Sequence, residues 1–280
     1  GTIKFIPILN EKKELVSIIS RNNIPTRDEK EFYARAKSPV RISFGGGGSD
    51  ITSFFKDDNG AVINSTISLY CHATLYKRND KKIIIDSIDL DQKVEYEDLN
   101  HLKQQQDKLK LINALIKIIK PKYGFELIIQ SDFPISSGLG GSSVVLSALI
   151  GCFNEFRNDK WTPYEIAEIA FEAERVHLGI SGGWQDQYAT VFGGLNFIEC
   201  RADENIVLPI RLPEDSINEL EESLVLCYTK TNHDSNQIHE NQKLKSSKKE
   251  IKDNIKANVS LTYEMRNLLL KSDFISLGKC

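Results

Sequence analysis

Apolar and polar residues alternate at Val40, Ile42 and Phe44, a period of two that predicts a strand over 38–44. Apolar-rich runs predict further strands over 61–77, 81–87 and 123–131. Helices are predicted over 104–120, 141–157 and 162–178. In the last of these, Ile166, Ile169, Ala170 and Ala173 form an apolar face, and Thr162-Pro163-Tyr164-Glu165 is a capping box with proline at the first helical position. Residues 224–229 predict another strand, the lysine- and asparagine-rich 232–259 a solvated helix, and 260–280 a further helix. At the other end, F-I-P-I-L-N-E-K-K-E-L-V-S-I-I-S predicts two short strands around a polar turn at Asn10–Glu14.

Composition narrows the function classes. The chain has 280 residues, enough for one large domain or two modest ones. Its 40% hydrophobic and 27% charged content are those of a soluble globular protein. A net charge of −3 gives no sign of a nucleic-acid or polyanionic partner. The longest apolar run, Val144–Phe153, is half a membrane span, and the start G-T-I-K-F-I-P lacks the apolar core of a signal peptide. Five scattered cysteines without a C-x-x-C imply neither a zinc site nor a disulfide framework, so reduced thiols in a cytoplasmic setting are expected. The five histidines show no metal-ligand spacing.

Two glycine-rich segments carry candidate chemistry. Pro134–Ser143 reads P-I-S-S-G-L-G-G-S-S and runs directly into the predicted helix 141–157. Glycines there let backbone approach a ligand closely, and a loop opening a helix aims several N–H groups at one anion with the helix dipole behind them. A phosphate is the expected ligand. The lysine-bearing phosphate-loop pattern is absent, and the dinucleotide pattern is matched only loosely, with no acidic residue about 20 positions on. The second segment, Ala36–Asp50, reads A-K-S-P-V-R-I-S-F-G-G-G-G-S-D. Four glycines beside an apolar strand forfeit packing, which points to a ligand loop rather than a plain hairpin.

P-x-x-x-G-L-G-x-S-S resembles the phosphate loop of the GHMP sugar and isoprenoid kinases. Arg41 and Asp50 stand nine positions apart, as in the galactokinase-like members, and Asp186 in G-G-W-Q-D-Q-Y-A…F-G-G-L-N-F-I-E fills the place of their catalytic aspartate. Together the three segments are most similar to the D-glycero-D-manno-heptose phosphate kinases, over about Phe32 to Cys280. The resemblance implies an α+β fold, with a ribosomal-protein-S5-like ATP-binding domain at 32–205 and a ferredoxin-like domain at 206–280. The third, glycine-rich GHMP motif has no match before Cys280, so that second domain is expected to be incomplete. Residues 1–31 would be a linker and remnant, because 1–25 resemble the closing hairpin of a CBS module.

The resemblance also implies roles. ATP phosphates would lie against Pro134, Ser137, Gly138, Leu139, Gly140, Gly141, Ser142 and Ser143. Asp186 would accept or orient the sugar hydroxyl proton, and Arg41 would stabilise the transferring phosphoryl group or hold Asp186 ionised. Mg²⁺ would take Ser142, with Ser143 as substitute, and Glu174, with Glu172 as runner-up; Glu172 also reads as a solvated helix carboxylate. Sugar would meet Gly46, Gly47, Gly48, Ser49, Asp50, Gly183 and Asp186. Bare Gly47 and Gly48 leave room for a distal phosphate in an anion nest. Trp184 could stack on a sugar face, Tyr188 reads as core, and 64–76 would line the adenine side. The expected reaction is ATP-dependent phosphorylation of the anomeric hydroxyl of D-glycero-α-D-manno-heptose 7-phosphate to the 1,7-bisphosphate. A fucokinase- or galactokinase-like sugar 1-kinase and a non-catalytic sugar-phosphate-binding member are the alternatives. An assembly of copies is left open.

Overall fold

The computed structural model describes residues 5–10, 12–20, 33–104, 109–134, 137–225, 227 and 249–280. The chain divides into two compact units, 1–32 and 33–280. In the first, β1 (Phe5–Leu9) and β2 (Leu15–Ser20) pair antiparallel, the hairpin expected from the alternation. Its turn closes on one side chain: Asn10 Oδ1 accepts the N–H groups of Lys12 and Glu14 at 3.0 and 2.9 Å.

The second unit is built on a seven-stranded sheet. Its strands are β3 (Tyr33–Gly45), β4 (Gly60–Lys77), β5 (Ile83–Ser87), β6 (Gln92–Tyr96), β7 (Phe125–Ser131), β8 (Leu195–Cys200) and β9 (Asn205–Pro209). The long strand β4 organises the rest. It pairs with β3 along most of its length, while its first half also pairs with β8 and its second half with β7. Only β5 and β7 run parallel; the remaining pairs are antiparallel.

The strands predicted at 38–44, 61–77, 81–87 and 123–131 are present, and β3 begins five residues earlier than the alternation suggested. A short α1 (Thr52–Phe55) lies between β3 and β4. The helix predicted over 104–120 is observed as α3 (Lys110–Ile119), and a separate α2 (Leu99–Gln104) ends where the prediction began; residues 105–108 lie outside the described set. The apolar run forms α4 (Gly141–Glu155). The capping box opens α5 (Pro163–Phe171), with Thr162 and Glu165 satisfying each other's backbone N–H. That helix then widens into a π-helical turn, Glu172–His177. A short α6 (Gln185–Phe192) follows, then α7 (Glu214–Ser223) and α8 (Lys249–Leu270). Of the strand predicted at 224–229, the described residues Leu224, Val225 and Cys227 are not in a strand, and Val225 is exposed among the described residues rather than packed in a core. The remainder of that segment, and 232–248 of the predicted solvated helix, lie outside the described residues.

Helices cover one face of the sheet along the second half of β4 and both faces at its start. Leu115, Ile116, Leu149 and Phe153 of α3 and α4 pack with Leu75, Ile85, Phe125 and Leu127 in the main core. At the start of β4 the faces separate: Val62 joins a cluster with Ala167 and Tyr188, while Ala61 and Ile63 join one with Phe197, Leu220 and Leu269. Burial on both faces explains the uninterrupted apolar run there. Phe125 and Phe153 meet edge to face, with ring centroids 5.2 Å apart. Phe153→Ala should therefore lower unfolding free energy by about 3–5 kcal/mol, read from urea denaturation; a loss below about 1 kcal/mol would mean that the core collapses around the gap.

Candidate active site

The site forms where β3, the head of α4, the π turn and the head of α6 converge. The register of β3 shifts between Pro39 and Arg41, and Arg41 meets Asp186, the second residue of α6. Arg41 Nε and Nη2 both lie 2.6 Å from Asp186 Oδ1. The pair is partly shielded, with side-chain exposures of 16% and 21%. Charge-assisted bonds of this length are among the stronger side-chain contacts, so Asp186 is held in one direction.

The glycine loop lies against that carboxylate. Gly140, the residue before α4, has φ of 77°, a left-handed conformation in which an L side chain is strained. A Cβ added there would lie 3.3 Å from Asp186 Cγ, so a bare backbone is what lets the loop approach. No side chain caps α4, which leaves its first amides for another acceptor. Gly138 is also left-handed, at φ of 76°, with open space around it, and Gly141 backs onto Phe133. Leu139 ties the loop to β3: its carbonyl accepts the Arg41 N–H at 3.5 Å. Pro134 is exposed and Ser137 half-buried at the loop's outer end.

Behind the loop sits a buried carboxylate. Glu174 Oε2 accepts from Ser143 Oγ at 2.9 Å and Gln187 Nε2 at 2.8 Å, and its Oε1 lies 3.4 Å from Arg175 Nη1. Burial pushes the Glu174 carboxyl up; Arg175 and the Ser143 hydroxyl oppose that, and nearby Asp186 adds to it. The serine in contact with Glu174 is thus Ser143, the expected substitute, and not Ser142, which is half-buried on the helix's first turn. Glu172 faces solvent, as its solvated reading had it. Gln187 was missed by sequence reasoning, yet it is fully buried and its Oε1 has no hydrogen-bond partner among the described residues. A hydroxyl, a carboxylate and an unpaired amide oxygen are hard oxygen donors, a set that suits Mg²⁺.

Asp50 takes an unexpected position. Its Oδ2 accepts the Gln185 N–H at 3.0 Å, at the first residue of α6, and its Oδ1 accepts the Gly48 N–H at 3.1 Å. It is 5% exposed, and burial pushes its carboxyl up, with the two amides opposing. A Cβ at Gly183 would fall 1.9 Å from Asp50 Oδ2, so this glycine gives the carboxylate its place. Ser49 is fully buried, and its hydroxyl donates to the carbonyls of Gly46 in the loop and Ala61 on β4, tying the two together. Gly46 packs on Ala61, whereas Gly47 and Gly48 border open space. From α8, Asn258 holds this loop by accepting from the Gly46 N–H and donating to the Gly47 carbonyl. Trp184 is already stacked on Phe171 at 3.6 Å, and Tyr188 is core as expected.

A sequence profile for the GHMP kinases N terminal domain matches residues 109–194, the stretch holding the glycine loop, Glu174 and Asp186. The D-glycero-alpha-D-manno-heptose 7-phosphate kinase of Campylobacter jejuni is 38% identical over 88% of this chain and 74% of its own. The chain belongs to the GHMP kinase family. Among solved GHMP-type structures, a D-glycero-D-manno-heptose 1-phosphate kinase from Bacteroides thetaiotaomicron is 29% identical with a TM-score of 0.72, covering 88% of this chain and 76% of that one. Lactococcus lactis galactokinase complexed with galactose, at 19% identity, shares the fold with a TM-score of 0.62, over 89% and 73%. The expected α+β GHMP kinase architecture is therefore the observed one, and no helix among the described residues is long and apolar enough to cross a membrane.

The raised Glu174 carboxyl sets a sign for this GHMP kinase. A carboxyl whose folded pKa lies above its unfolded value adds stability below the unfolded value, about 4.3, and loses it as pH rises through the folded one. Without divalent cations, Glu174→Gln should therefore gain in Tm relative to the wild type between pH 4 and pH 7. A relative loss over that range would show that Arg175 outweighs burial.

Proposed function

We propose that the chain is an ATP-dependent sugar-phosphate kinase that phosphorylates the anomeric hydroxyl of D-glycero-α-D-manno-heptose 7-phosphate, giving the 1,7-bisphosphate. One observation carries the reading: the Arg41–Asp186 pair lies against Gly140, at the head of the helix whose amides suit a phosphate. The names of the Campylobacter and Bacteroides relatives favour a heptose phosphate over other sugars. The open space at Gly47 and Gly48 suits an acceptor with a distal phosphate.

Phosphoryl transfer to a hydroxyl asks for position and charge stabilisation rather than a covalent intermediate. Gly138–Ser143 would cradle the terminal phosphates of ATP through backbone N–H groups. Asp186 would accept the hydroxyl proton or orient it, and Arg41 would fix the carboxylate and face the charge that develops. Mg²⁺, held by Ser143 and Glu174, would neutralise phosphate charge when bound. Asp50 would meet the sugar hydroxyls from the position in which it holds the Gly48 amide and the head of α6. Domains at 32–205 and 206–280 and a cytoplasmic setting belong to the same reading; five unpaired cysteines agree with the latter.

An ATP-consumption assay should show faster turnover of heptose 7-phosphate than of galactose or fucose; the reverse order would overturn the substrate. Asp186→Asn should cut kcat by about 10²–10⁴-fold while ATP still binds, and retained turnover would favour a binding protein.

The metal position has its own test. Ser143→Ala should raise the Mg²⁺ concentration for half-maximal rate more than Ser142→Ala does. The opposite order would return the metal to Ser142.

A further inference from the structure

Arg175 lies outside the three motifs, yet its side chain is only 10% exposed, beside the buried Glu174. It follows Glu174 in the π turn, and its guanidinium lies along the turn that leads into α6. Nη1 reaches the carbonyls of Ile180 and Ser181 at 3.4 and 3.2 Å, and Nη2 reaches that of Gly183 at 3.5 Å. The contacts are long, but they are several and come from one rigid fork. A Cβ at Gly182 would lie 2.5 Å from the guanidinium carbon, so the cation rests directly on the bare glycine. Asp50 presses on the next residue, Gly183, and takes the Gln185 N–H. The turn is held between a cation that serves its carbonyls and an anion that serves its amide.

We propose that Arg175 is a positioning residue: by clamping the Ile180–Gly183 turn against Asp50, it fixes where α6 begins and so where Asp186 meets Arg41 and Gly140. A lysine could not do this, because one ammonium cannot span carbonyls on three residues and the Glu174 carboxylate together. The activity part of the test rests on the kinase reading; the structural part does not.

Two variants disturb the clamp from opposite sides. Arg175→Met removes the guanidinium but keeps the bulk, and Gly182→Ala puts a methyl where the guanidinium lies. Each should lower kcat for the sugar phosphate by about 10–100-fold, with KM for ATP changed by less than about threefold. The double variant should be no worse than the weaker single one, because both break the same contact. Arg175→Lys should not rescue. Without any substrate, hydrogen exchange across 181–187 should speed up by about tenfold or more in both variants, while α3 stays unchanged.

Unchanged exchange in both variants overturns the proposal whatever the turnover. Faster exchange with full kcat overturns it too, because Asp186 would then not depend on the clamp. Faster exchange in a chain whose wild type phosphorylates no sugar leaves the clamp standing and removes the kinase reading instead. If Arg175→Met does not fold, Gly182→Ala alone decides.

Discussion

Like charges crowded together repel, and this site brings three carboxylates into one another's field. Asp186 acts electrostatically on both Glu174 and Asp50. That repulsion adds to the larger effect of burial, which already disfavours the charged forms of Glu174 and Asp50. Each carboxylate has its own counterweight. Asp186 has Arg41, Glu174 has Arg175 with a hydroxyl and an amide, and Asp50 has two backbone N–H groups. The counterweights come from β3, the π turn, α4, α6 and the glycine loop, so those elements are drawn together by one electrostatic requirement.

Much of this was legible in the sequence, because the features are local. Strand alternation, the capping box and the apolar run of α4 each depend on residues a few positions apart, and each formed as read. The glycines at 46, 140 and 183 signalled close approach, and in each case the approaching group is now visible: Ala61, Asp186 and Asp50. What a glycine cannot announce is its partner. Asp50 therefore read as a sugar ligand, and its hold on the first amide of α6 came only with the fold.

What the sequence left undecided at the site shares a cause, which is helical phase. Ser142 and Ser143 are neighbours pointing about 100° apart at a helix start, and a loop pattern does not say which one faces inward. Arg175 carries no motif that marks it in the sequence. Its side chain is 10% exposed beside the buried Glu174, in the turn where the helix widens. Gln187 is concealed in the same way, by a role that exists only once α6 lies beside the π turn.

That widened turn has an evolutionary implication. A π turn is an α-helix that has accepted an extra residue. Losing one residue between Pro163 and Phe171 while the π turn stays as it is would rotate Glu174 by about 100° relative to the start of that helix. If the π turn instead gave up its extra residue, the coil would relax to regular pitch with both ends still in phase, so the turn is the one place where this helix can be shortened and still present Glu174 to Ser143.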